Sequence, residues 1–363
     1  MALKKDFRAK AMLGLLFLTG GLRVPLSAQE PVVPEKSSKV DSSVRGPSEA
    51  GNINLPRTVE NWTVLTLDKS ELKMLPPTPG EIDKMDTYTR ERWQVVWRDR
   101  DPIDLYIIKP VGVENPPVIV YLYSWETASK VLFMNDGWCQ RATSGGFAAI
   151  GFVPALTEDR FQMRPMKEWF ISELQESLGS TTHDVQMVLN YLDSRKDVDV
   201  TRVGVFGIGS GATVGILAAA ADPRIKVLEI IDPWGDWPNW LAATPLIPPV
   251  ERRNFITPEF LAKAAPLDPV KWLPELTSQQ VRLEFVDEAT LGRKELTAAM
   301  ANVGKAAPKN VEVVHFATGK DLKSSVLKTG GSFQWVKGEL RPPTPLLPSG
   351  SAETAKDAAI AKP

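Results

Sequence analysis

The chain has 363 residues, a formal net charge of −1 and a single cysteine, Cys139. That length suffices for one large α/β domain. The near-neutral balance offers no clustered basic excess for a nucleic-acid partner. One cysteine excludes an intramolecular disulfide and a cysteine-built zinc site, and Cys139 reads as a small buried apolar residue.

Residues 1–28 read as a secretory leader. Lys4, Lys5, Arg8 and Lys10 precede an apolar run over 11–22, and Ser27-Ala28 offers a small-residue cleavage site. The run is too short for a stable membrane span. The expectation is export to a periplasmic or extracellular location; the alternative is an uncleaved N-terminal anchor. Residues 29–55, rich in Pro, Ser, Glu and Lys, are expected to form a disordered linker. The folded domain is expected over 56–340, followed by a disordered tail over 341–363. Asn61-Trp62-Thr63 matches a glycosylation sequon on three residues alone.

Trp93, Val95 and Trp97 alternate and predict a half-buried strand over 92–98. A second strand is expected over 103–108 and a third, fully buried, over 118–123. Residues 130–144 predict a helix stopped by Gly145-Gly146, and 147–153 the next strand. Ser180 or Thr181 is expected to cap a helix with Val185, Val188, Leu189 and Leu192 on one apolar face. His183, near its start, reads as a surface or capping residue.

The most informative stretch is 203–221. An apolar strand over 203–206 runs into Gly207, Gly209 and Gly211, then into a small-residue helix. Two motifs compete for it: the nucleophile elbow G-x-S-x-G and the dinucleotide loop G-x-G-x-x-G/A. The flanks read Tyr191-Leu-Asp-Ser-Arg-Lys-Asp-Val-Asp-Val-Thr-Arg-Val-Gly-Val205 before the turn and Ala221-Asp-Pro-Arg-Ile225 after its helix. Together these resemble α/β hydrolases of the dienelactone hydrolase and acetyl xylan esterase type. The resemblance implies an α/β-hydrolase fold, with a mostly parallel central sheet and helices on both faces. It also implies ester hydrolysis and no cofactor.

The chain departs from that family at each catalytic position. Gly209 stands between the two motif glycines, where the family has its serine, and Ser210 comes one residue late. One residue along a helix turns a side chain by about 100°. Tyr123-Ser124-Trp125 stands where the family has a His-Gly pair beside the oxyanion hole. After the strand over 281–286 the carboxylates are Asp287 and Glu288, displaced from the family's acid. After the last strand, 311–316, the family's histidine is replaced by Lys320 or Asp321, and His315 lies inside the strand.

The strand over 226–231 opens into Trp234, Trp237 and Trp240, interleaved with Pro and Gly. They read either as a rigid hydrophobic plug or, with Tyr123, as an aromatic wall for a small-molecule ligand or ester substrate. Three readings follow. The first is an exported hydrolase-fold protein without conventional Ser-His-Asp catalysis. The second is an active esterase using Ser210, a carboxylate at Asp287 or Glu288 (or Asp232), and His315. The third is dinucleotide binding through Gly207, Gly209 and Ala212, with Glu229 or Asp232 as the ribose acid.

Overall fold

The computed structural model of the chain describes residues 60–98, 101–125, 127, 129–155, 160, 170–328 and 333–341. The expected leader and linker, and all of the expected tail beyond Arg341, lie outside them. Among the described residues nine strands form one sheet, in the order β1-β2-β3-β5-β4-β6-β7-β8-β9. β1 (Thr78–Lys84), β2 (Tyr88–Val95) and β3 (Ile103–Pro110) make an antiparallel meander. β4 (Pro117–Leu122), β5 (Ala148–Phe152), β6 (Asp199–Ile208), β7 (Ile225–Ile231), β8 (Gln280–Val286) and β9 (Glu312–Phe316) run parallel, and β5 meets β3 antiparallel. Parallel strands covered on both faces need unbroken apolar runs. β4 and β5 meet that need, being buried at every position.

The helices are α1 (Ser129–Phe133), α2 (Asp136–Thr143), α3 (Phe170–Arg195), α4 (Ser210–Ala221), α5 (Trp237–Ala243), α6 (Pro249–Phe255), α7 (Pro258–Ala264), α8 (Pro269–Trp272), α9 (Lys294–Ala306), α10 (Gly319–Lys328) and α11 (Gln334–Leu340). One face of the sheet packs on Val185 and Leu192 of α3, Ile216 of α4 and Val303 of α9. The other packs on Phe133 of α1, Trp138 of α2 and Val336 of α11, with Cys139 buried among them. This is the doubly covered sheet that the alternation of strands and helices predicts. No helix of the described residues is long and apolar enough to cross a membrane.

Two local expectations are corrected, and one strand is added. The helix over 130–144 is two helices, because the Asn135 side chain accepts from the Trp138 N–H at 2.9 Å and starts a new one. β1 was not foreseen, since it carries Pro79 and Gly80 and is almost wholly exposed. Helix α3 runs unbroken through Ser180 and Thr181, so neither caps it. The next hydroxyl, Thr182 Oγ1, donates back to the Leu178 carbonyl at 2.8 Å.

His183 is likewise neither a surface nor a capping residue. It is buried in α3, with Nδ1 2.6 Å from Glu60 Oε1 and Nε2 2.7 Å from the Val64 carbonyl. Beside it Arg98 pairs with Glu60 and Asp184, and Arg160 with Asp101 and Asp184; all but Glu60 are buried residues, and the Glu60 side chain is only 6% exposed. Burial alone would push the Glu60 carboxyl up; hydrogen bonds from Arg98 and His183 overcome this and hold it at about 2.

Candidate active site at the turn between β6 and α4

Open α/β sheets gather ligands outside the carboxyl ends of their strands, where the strand order reverses. Here β4 lies between β5 and β6, so that crevice falls between the loops leaving β4 and β6. Gly209 forms the apex of the second loop, with φ +57° and ψ −120°, and Ser210 is the first residue of α4. Positive φ is disfavoured for side chains with a Cβ and open to glycine. A Cβ on Gly209 would stand 2.5 Å from Ser124 Oγ and 3.3 Å from Trp234 Nε1. The Ser124 side chain therefore fills the space at the apex. A Cβ on Gly211 would overlap the Leu122 carbonyl, and one on Gly207 the main chain of Ala212. These two glycines let α4 press against β4 and β6.

Ser210 is buried, and its Oγ accepts a hydrogen bond from the Trp125 N–H at 2.9 Å. The N–H of the β4 loop that an oxyanion hole would draw on is thus bonded to a side chain of the protein itself. Beside Ser210 lies a void of about 20 Å³, bounded by Leu122, Trp125, Ser177 and Val214 among others. That is room for about one water, whereas small-molecule pockets begin near ~300 Å³.

The acid and base candidates meet each other but not Ser210. Asp287, the first residue after β8, lies 2.9 Å from His315 Nδ1, and both side chains are about half exposed. The imidazole tilts over the Phe285 ring at 5.2 Å. It sits in β9, three strands from β6, which at ~4.8 Å per strand is roughly 14 Å. Glu288 accepts instead from the Gly319 N–H at 3.3 Å. In the loop after β9, Thr318 donates through its N–H and hydroxyl to Asp321, at 3.0 and 2.8 Å, and Lys320 is exposed.

Asp232 follows β7 and accepts from the Val286 N–H at 2.9 Å. Burial pushes its carboxyl up to about 7 against the pull of that N–H, with the charges of Asp287 and Glu284 adding. Glu229 lies within β7 and accepts from the Val336 N–H of α11 at 2.9 Å. Both acids of the dinucleotide reading are thus engaged elsewhere, and Ser124 fills the apex of the glycine turn. The geometry gives that reading no support.

The three tryptophans are buried. Trp234 and Trp240 stack at 4.5 Å, and Trp237 meets Trp240 edge-on at 6.0 Å. Trp237 Nε1 donates to the Ala264 carbonyl at 3.1 Å, and Thr213 Oγ1 to the Trp234 carbonyl at 2.7 Å. The stretch fastens α5 to α4 as a plug rather than standing as an open wall. Tyr123 is buried too, its hydroxyl accepting from Trp138 Nε1 at 2.7 Å. Sequence reasoning missed Ser124. The available signal was an oxygen-bearing side chain on the loop facing a glycine apex.

No family profile matches the sequence, and no curated protein matches it. Solved structures do. The acetyl xylan esterase from Paenibacillus sp. R4 superposes with a TM-score of 0.54 at 16% identity, over 74% of this chain and 89% of that one. Acetyl xylan esterase 1 from Thermoanaerobacterium sp. JW/SL YS485 gives 0.53 at 12% identity, over 68% and 82%. The chain has the α/β-hydrolase fold. Within that fold Gly209 holds the apex of the turn between β6 and α4, Asp287 follows the penultimate strand, and residues 317–320 follow the last one.

Proposed function

We propose that the chain is an exported α/β-hydrolase-fold protein that does not carry out conventional Ser-His-Asp ester hydrolysis. The observation that carries this reading is the apex at Gly209. The backbone takes the strained turn there, yet the residue has no side chain, and Ser124 Oγ lies 2.5 Å from where a Cβ would stand. A serine triad needs a nucleophile within hydrogen-bond reach of a base that an acid orients. Ser210 Oγ is bonded to a backbone N–H, while His315 and Asp287 pair with each other in β9 and after β8. The leader-like sequence over 1–28, a basic start followed by an apolar run, supports export.

The test is fluorophosphonate labelling of the folded protein, with the modified residue mapped by mass spectrometry beside a reactive esterase. The expected outcome is no label. A label on Ser210 that is lost on unfolding, together with turnover of short aryl esters abolished by Ser210→Ala, overturns the reading. Export is checked by cell fractionation and by an N-terminal residue at or near Gln29 in the recovered protein.

A further inference from the structure

A second cavity lies away from the glycine turn. It has a volume of about 300 Å³, with β7, β8 and β9 as its floor and α10 and α11 as its roof. That size falls within the range of small-molecule sites, about 300–1,000 Å³. Its floor is unusual for this face of the sheet. Val227 and Ile231 on β7 and Val286 on β8 are apolar core residues here. Among them stand Glu229 and Glu284, both buried and both lining the cavity.

The protein neutralises these carboxylates unevenly. Arg282 Nε donates to Glu284 at 2.6 Å, and Arg282 Nη1 lies 3.2 Å from Glu312. Lys337, whose charge also acts on Glu229, is bonded instead to the Arg141 carbonyl at 2.6 Å and Ser144 Oγ at 2.9 Å. Among the described residues Glu229 receives only the Val336 N–H, through Oε2. Its Oε1 has no hydrogen-bond partner among the described residues. A buried carboxylate left this way is costly unless it is protonated or paired. Phe316, Phe333 and Trp335 complete the wall, and the exposed Gly338 and Glu339 mark the mouth. Aromatic faces next to carboxylates favour a cation with an apolar body. Among the described residues no group of three or more His, Cys, Asp or Glu side chains could hold a metal ion, which favours an organic cation.

We propose that this cavity binds an organic ammonium ion, its charged head on Glu229 and Glu284 and its apolar body against Phe316, Phe333 and Trp335. The site is independent of the glycine turn, so it stands whether or not the protein hydrolyses esters.

The experiment is calorimetric titration of the full chain at pH 8 with benzylammonium, phenethylammonium and choline, beside benzyl alcohol as the neutral control. Saturable binding is expected for at least one ammonium ion, with the alcohol binding at least about tenfold more weakly. Glu229→Gln should weaken the ammonium by about tenfold or more. Its urea denaturation midpoint, equal to or above that of the parent, shows that the fold is kept. Three results overturn the assignment: no saturable heat from any of the three up to roughly 10 mM, equal binding by the folded Glu229→Gln variant, or an alcohol that binds as well as the amine.

Discussion

Ser124 Oγ stands 2.5 Å from the point that a Cβ on Gly209 would occupy. The two positions face each other across the crevice between β4 and β6, and only one of them has room for a side chain. Gly209→Ser should therefore destabilise the protein twice over. The left-handed backbone costs about 1–3 kcal/mol, and the overlap with Ser124 adds about 1–3 kcal/mol. The double variant with Ser124→Gly should recover the second part alone. Urea denaturation of the three proteins checks this; a double variant no more stable than Gly209→Ser would show that Ser124 is not the obstacle.

Ser210 supplies the acceptor for the Trp125 N–H. In Ser210→Ala that part-buried donor loses this acceptor, which costs about 1–3 kcal/mol. The expected result is a lower denaturation midpoint with an unchanged far-ultraviolet spectrum. A variant as stable as the parent would mean that water replaces the hydroxyl in the small void beside it.

Glu229 makes stability depend on pH. Burial, with the Glu284 charge adding, pushes its carboxyl from the ordinary 4.5 up to about 7, against the Val336 N–H, Arg282 and Lys337. The native state thus holds this proton more tightly than the unfolded chain. Stability from this group is full below about pH 4.5 and is lost as pH rises through 7, by about 3 kcal/mol in all. Glu229→Gln should be more stable than the parent at pH 8 by up to about 3 kcal/mol, and equal to it near pH 4. Equilibrium unfolding at the two pH values measures the difference.

Glu60 has the opposite sign. Its carboxyl is held at about 2, below the ordinary 4.5, so its contribution is present above about pH 4.5 and disappears as pH falls toward 2. Glu60→Gln leaves Arg98 and His183 short of a charge and should cost about 3–5 kcal/mol at pH 7. The gap to the parent should close in acid, where the parent loses the same charge. A pH series of urea midpoints for both proteins tests this.

The sheet was legible where burial demanded unbroken or alternating apolar residues. The third strand, expected over 118–123, is observed as β4, Pro117–Leu122, and the strand expected over 226–231 is β7, Ile225–Ile231. β1 was not legible, because an exposed edge strand needs no apolar pattern. The unbroken α3 was hidden by Ser180 and Thr181, which look like a helix start when their burial against the rest of the chain is unknown. At the turn, the spacing of Gly207, Gly209 and Gly211 carried the backbone path. It did not carry the occupant of the apex, since Ser124 reaches it from the loop after β4, 85 residues earlier in the chain. The pairing of His315 with Asp287 also depends on the register of β8 on β9, which brings Phe285 opposite His315.

Both nitrogens of His183 face acceptors, Glu60 and the Val64 carbonyl, and Glu60 also takes the Arg98 guanidinium. Two guanidinium groups, Arg98 and Arg160, and the His183 ring thus face three carboxylates, Glu60, Asp101 and Asp184. One of the six comes from ahead of the sheet. A chain cut between Val64 and Thr78 would keep all nine strands and yet leave buried Arg98 and His183 without the carboxylate that both contact. The folding unit therefore starts where its charge closes, before the first residue that joins a ladder.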